Sequence, residues 1–256
     1  MRAKTTVLVL CGLAILNGIA AAETVEEVVA ANLEAKGGEE AWIAVETGRM
    51  TGNMRIVGGA AGAMEMPFVI EFKKPKMIRL EFTMQGMTGI QAFDGEVGWT
   101  VMPFMGSTEP EEMAEDQVKQ LKDQAEFEGV LVNFEEKGHT VELVGKEEVD
   151  GTPAYKIKVT RADGDVDYLY LDEEYFIEFK TESTREIQGN EMTISTVLGD
   201  YKEVDGLLFA HSMEMSFGGG DAQQVVTIEN IELGVDLPDE RFAMPAKAEA
   251  EAPPEE

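Results

Sequence analysis

Apolar residues recur at every second position through much of this chain. In Met64–Phe72 the even positions hold Met64, Met66, Phe68, Ile70 and Phe72, and further on Ile78, Leu80, Phe82 and Met84 alternate with Arg79, Glu81 and Thr83. A period of two places successive side chains on opposite faces of a strand, so each segment has one apolar and one wet face. Met50, Gly52, Met54 and Ile56 give the same pattern within residues 47–58. Asp94-Gly95 is a hairpin turn signal that leads into a strand carrying Trp99. Beyond Val130 the strands run roughly over 140–149, 154–161, 166–171, 176–186, 191–201, 207–217 and 223–233, separated by short turns rich in Gly, Asp and Asn. Repeated short connections predict an antiparallel meander, and so many strands in one sheet twist and curl.

Three stretches have helical character. Thr24–Lys36 carries Val25, Val28, Val29, Ala31, Leu33 and Ala35 among acids. Thr24 with Glu27 forms a capping box at its start, and Gly37-Gly38 stops it. Glu39–Glu46 continues as a second helical turn around Trp42. After a loop over Met102–Thr108, Glu109-Pro110-Glu111-Glu112 reads as the first turn of a long helix reaching Gly129, because acids and Pro suit a helix N-terminus. Its apolar stripe is Met113, Val118, Leu121, Ala125 and Phe127. As the long helix that interrupts the strands, it is the natural lid for the sheet.

The first residues change the picture. Arg2 and Lys4 precede an apolar run that ends in Ala20-Ala21-Ala22, the layout of a secretory signal peptide cleaved after Ala22. The domain then spans 23–245, and Ala246–Glu256, built of Ala, Glu, Pro and Lys, reads as a disordered acidic tail. Localisation is expected to be periplasmic or otherwise exported. Cys11, the one cysteine, falls inside the leader, so the mature chain has no thiol for catalysis, metal binding or disulfides. Removing Arg2 and Lys4 from 21 basic residues leaves 19 against 50 acidic ones, a formal charge of −31. Such a surface repels nucleic acid and anionic headgroups; it reads as an adaptation for solubility or high salt, with the steering of a basic protein partner as the alternative.

Candidate chemistry is sparse. His139 follows a turn glycine and reads as exposed, whereas His211 alternates with Phe209 and Met213 and belongs to their face. Neither has a partner at metal-ligand spacing, and no Gly-x-Ser-x-Gly elbow occurs. Gly58–Gly62 lacks the Lys-Ser/Thr ending and following helix of a phosphate loop. Asp163-x-Asp165-x-Asp167 lacks the glycine placement and late glutamate of a calcium loop, and reads as solvated charge, as do Glu147-Glu148 and Asp172-Glu173-Glu174. Lys73-Lys74-Pro75-Lys76 reads as a solvated hairpin end. No catalytic residue, metal or cofactor is expected.

The apolar face is soft instead. Methionine fills irregular space and repacks readily, which suits a loose core or a surface accepting variable apolar shapes. The residues expected to line an apolar ligand cavity are Met54, Met64, Met66, Phe68, Ile70, Phe72, Ile78, Leu80, Phe82, Met84, Trp99, Met102, Phe104, Met113, Phe209 and Met213.

Several segments taken in order resemble the LolA/LolB-like family of periplasmic lipoprotein-sorting and lipoprotein-carrier proteins. They are VVAANLEAKGGEEAWIAVETGR from Val28, FKKPKMIRLEF from Phe72, FDGEVGW from Phe93, YLDEEYF from Tyr170 and DYKEVDGLLFAHSM from Asp200. One departure is Ala210, where relatives often place a proline. The resemblance implies a mainly β fold with α elements: a curved antiparallel incomplete β-barrel of about eleven strands with helices covering its concave face. It implies a non-enzymatic envelope protein that binds a lipid or lipoprotein acyl chain; a monomer is expected. The alternative on the same fold is a regulatory, sensor or scaffold module that binds a protein partner.

Overall fold

Thirteen antiparallel strands follow one another around a single open sheet. A computed structural model describes residues 24–57, 64–187, 190–218 and 223–246. The leader, the Gly58–Gly62 turn and residues 247–256 of the tail lie outside that set. Two helices, α1 (Val25–Ala35) and α2 (Glu39–Ala44), come first. The strands β1 (Thr47–Val57), β2 (Met64–Lys73), β3 (Met77–Met84), β4 (Met87–Phe93), β5 (Gly98–Met102) and β6 (Ser107–Glu112) form one meander. A third helix, α3 (Glu115–Gln124), leads to the second meander: β7 (Thr140–Val149), β8 (Thr152–Thr160), β9 (Val166–Asp172), β10 (Glu178–Ile187), β11 (Asn190–Val204), β12 (Leu207–Phe217) and β13 (Gln223–Leu233). Long-range pairing of β1 with β13 joins the two halves, leaving β6 and β7 as free edges. The sheet is therefore an incomplete barrel of thirteen strands rather than about eleven.

Local chemistry explains the elements. The capping box at α1 forms as expected, with Glu27 N–H donating to Thr24 Oγ1 at 3.2 Å and Thr24 N–H to Glu27 Oε2 at 2.9 Å. Asp94 Oδ1 accepts from the backbone of Glu96 and Val97, which closes the β4–β5 turn. The long helix expected from Glu109 is not there. Residues 107–112 instead form β6, paired through Trp99↔Glu112 and Thr100↔Glu111. Pro110 needs no outward partner on an edge strand, so the proline compatible with a helix start is equally compatible with this edge. α3 begins only after Ala114. The expected solvated hairpin at Lys73–Lys76 is also a clamp. Lys74 Nζ donates to the carbonyls of Trp42 and Ile43 at the end of α2, and Lys73 Nζ donates to the Leu237 carbonyl.

Register decides which side chains share a face. One row runs Met64–Ile56–Gln224–Met215–Thr196–Thr181–Leu169–Ile157–Leu143 across nine strands. Another runs Gly98–Phe93–Ile78–Phe72–Gly48–Leu233. Both lie on the concave face. There Val28, Val29, Leu33, Trp42, Leu131 and Val132 pack against strand residues from both meanders, including Phe72, Leu80, Tyr155 and Leu169. The opposite face of β2–β5 is covered by the C-terminal segment. Glu71, 1% exposed, accepts from Arg49 and Arg241, and the buried Phe242 anchors the segment.

Candidate functional site

The concave face divides into a covered and an open half. At the end where α1 and α2 lie, Phe72, Ile78, Phe93 and Phe209 are buried. The Phe209 ring meets Trp42 at 4.7 Å, and Phe72 stacks on Phe127 at 3.7 Å. Toward the other end the same strands carry Met54, Met64, Phe82, Met84, Met102 and Met213, all only partly buried. Ile56 and Met87 at the rim are 37% and 38% exposed. Phe104 lies over Gly89 and tilts against Phe82 at 5.6 Å, closing one flank. The result is an open apolar trough with a methionine-rich lining.

Most residues expected to line a cavity therefore share this face, but in two groups. Phe68, Phe72, Ile78, Leu80 and Phe209 are buried core, Ile70 packs against that core, and Met66 is buried beside Met54. Met54, Phe82 and Met213 pack against the edge of that core while staying partly exposed, and Met64, Met84, Met102 and Phe104 belong to the open half. Met113 packs against the small cluster of Ile78, Phe93, Leu121 and Ala125 under α3. Trp99 is placed elsewhere: register puts it beside Ala92 and Arg79 on the opposite face, where its indole N–H donates to the Phe242 carbonyl at 2.7 Å. Met192, Ile194, Leu198, Met215 and Phe217 join the trough although the list above omits them. Their alternation in β11 and β12 was the signal that pointed to them.

α3 straps across the concave face. Its first turns sit over β3–β5, where Leu121 packs with Ile78 and Phe93 and Val118 fills the space above Gly98. Its last turn reaches the far meander through charge. Arg161 Nη1 lies 2.8 Å from Glu126 Oε2, and Arg161 Nε donates to Asp167 Oδ2 at 2.6 Å. Arg185 Nη2 holds the other Asp167 oxygen at 2.6 Å and its Nε approaches Asp123 at 3.3 Å. Lys119 pairs with Asp163 at 2.9 Å and Asp165 at 2.8 Å.

Two expectations are corrected here. Asp167 is not solvated charge but is 4% exposed, because alternation puts it on the concave face between two arginines. Burial pushes its carboxyl up, yet the guanidiniums and the Ser183 hydroxyl outweigh this and hold it below the usual range. Asp123 goes the other way, since burial raises it by more than Arg161 and Arg185 lower it. His139 is also buried, at 8% exposed, accepting at Nδ1 from the Ala162 N–H, and burial lowers its pKa. Among the described residues no cluster of His, Cys, Asp and Glu could hold a metal. A polar hollow of about 590 Å³ bordered by Lys158, Tyr168, Thr184 and Glu191 lies near the strap's anchor, away from the methionines.

No family model matches the sequence, and a search of curated proteins finds no match. Solved structures do match. A LolA superfamily protein from Nitrosomonas europaea superposes with a TM-score of 0.60 at 17% identity, covering 87% of this chain and 98% of that one. The chain shares the fold of that protein. An outer-membrane lipoprotein-sorting protein domain from Vibrio parahaemolyticus gives 0.57 at 13% identity, over 85% and 97% of the two chains. A DUF1329 family protein from Desulfovibrio piger gives 0.59 at 12%, over 87% and 98%. The shared fold spans nearly the whole of each of these three solved chains. Among the described residues no helix is long and apolar enough to cross a membrane.

Proposed function

We propose that this is an exported envelope protein whose open trough holds the acyl chain of a lipid or lipoprotein, for carriage or sorting toward the outer membrane. The observation that carries the reading is the partly exposed methionine and phenylalanine lining beyond the helices, where an ordinary core would be sealed. Support comes from the leader sequence and from the fold shared with an outer-membrane lipoprotein-sorting domain. Energetics agree with reversible binding. A sheltered chain of about fourteen carbons gains roughly 11 kcal/mol at about 0.8 per methylene. Association and ordering costs of roughly 4–15 kcal/mol offset most of it.

Native mass spectrometry of protein purified from the envelope tests the proposal. An acyl-bearing species near one per chain is the expected result. Lipid-free protein that also fails to displace a fluorescent fatty acid overturns it, and a stoichiometric protein partner in place of lipid would favour the sensor or scaffold role.

A further inference from the structure

The concave face carries a polar atom that the fold leaves unpaired. His211 is 4% exposed and stands between Phe209 and Met213 on the concave side of β12. Its Nδ1 lies 2.8 Å from the Ile228 carbonyl oxygen. A carbonyl only accepts, so Nδ1 carries the hydrogen and Nε2 of the neutral ring presents a lone pair. Nε2 is buried and has no hydrogen-bond partner among the described residues. A buried acceptor without a donor is a standing cost that a leucine or methionine here would avoid.

Position gives that atom a use. On one side of His211, Phe209 closes against Trp42 in the sealed core. On the other, Met213 and Met215 are partly exposed in the trough, one strand step and two strand steps away. His211 thus sits where the core ends and the trough begins. A chain lying head-first along β12 would bring its head group to this residue.

We propose that His211 Nε2 accepts a hydrogen bond from the head of the acyl ligand, so that the trough favours chains ending in an O–H or N–H donor over esters that have none. The inference rests on the acyl-binding reading above. A free fatty alcohol and an N-acyl amide supply the same donor chemistry, and separate probes distinguish these sources.

The test is fluorescence displacement on the whole mature protein with hexadecanol, N-methylhexadecanamide and methyl hexadecanoate. Wild type is expected to bind at least one donor-bearing probe about tenfold more tightly than the ester, and which one identifies the source. His211→Leu should erase that preference by weakening the donor-bearing probe alone. His211→Gln, whose amide both donates and accepts, should keep part of it, and it decides the matter if the leucine variant does not fold. A wild type without preference, or a His211→Leu that weakens all three probes alike, overturns the assignment of His211 while leaving acyl binding standing. Failure of wild type to bind any of the three removes both.

Discussion

Arg161 and Asp167 meet on the concave face, Nε to Oδ2 at 2.6 Å, where both are largely shielded from water. The pair is the hub through which α3 is tied to the second meander. Arg161 also reaches Glu126 at 2.8 Å, while Arg185 holds the other Asp167 oxygen. Apolar contact fixes one end of the strap and ionic contact the other.

Removing one member should therefore loosen α3 before the sheet. Arg161→Met leaves Asp167 buried without one of its two guanidiniums, and breaking a buried pair this way costs about 3 kcal/mol. Urea unfolding is expected to show that loss. Hydrogen exchange should rise in α3 more than in β8. Unchanged stability and unchanged exchange would mean that the ionic end holds nothing.

The same cluster sets a pH dependence with two opposite signs. Asp167 titrates below the ordinary carboxyl value of 3.8, so its ionised form stabilises the fold above that value, and the contribution is lost as pH falls further. Asp167→Asn should lower the Tm at pH 7, and its deficit should shrink in acid. Asp123 titrates above 3.8, so its charge is a cost at neutral pH that disappears on acidification. Asp123→Asn should raise the Tm at pH 7 and match wild type near pH 3. Scanning calorimetry from pH 7 to 3 checks both signs at once.

Alternation made most of this fold legible. The strands of the second meander lie within a few residues of where period two places them, and the capping box at Thr24 fixes the start of α1. Three things were not legible. Glu109-Pro110-Glu111-Glu112 carries no apolar residue to report its period, so edge pairing by β5 decides its conformation. The aromatic character of Trp99 suggests the concave side, whereas its face follows from pairing with Ala92. The ionic anchor of α3 needs Glu126, Arg161 and Arg185, which are distant in sequence and become neighbours only when the sheet curls.

Gly48 tests how tightly the covered half is packed. A Cβ there would stand 2.2 Å from Phe72 Cζ, and Phe72 in turn stacks on Phe127. Gly48→Ala should cost about 1–3 kcal/mol through overpacking. Adding Phe72→Leu frees space over residue 48, so the double variant should lose less than the two single losses combined. A strictly additive double variant in urea unfolding would show that the ring does not cause the loss.

Trp99→Phe separates the two faces of the sheet. It leaves the Phe242 carbonyl without the indole donor found at 2.7 Å, a loss of about 1–2 kcal/mol. Proteolysis of residues 235–243 should quicken, while acyl-probe affinity stays at the wild-type value. A drop in affinity would place the indole in the binding path and contradict its register.

Charge inside the trough should do the reverse. Met213 and Met84 are partly exposed on the concave face; Met213 packs against the edge of the core that holds Phe72 and Phe209, and Met84 lies beyond that core. Because each already touches water, Met213→Glu or Met84→Glu should change stability by less than about 1 kcal/mol. An acyl chain laid along the trough would have to strip water from the new carboxylate, an expensive step without a counter-charge. Displacement of a fluorescent fatty acid should therefore weaken at least tenfold in each variant, with Tm nearly constant. Wild-type affinity in both would move any ligand off the methionine lining. Lost affinity together with a collapsed Tm would show that these methionines are structural core after all.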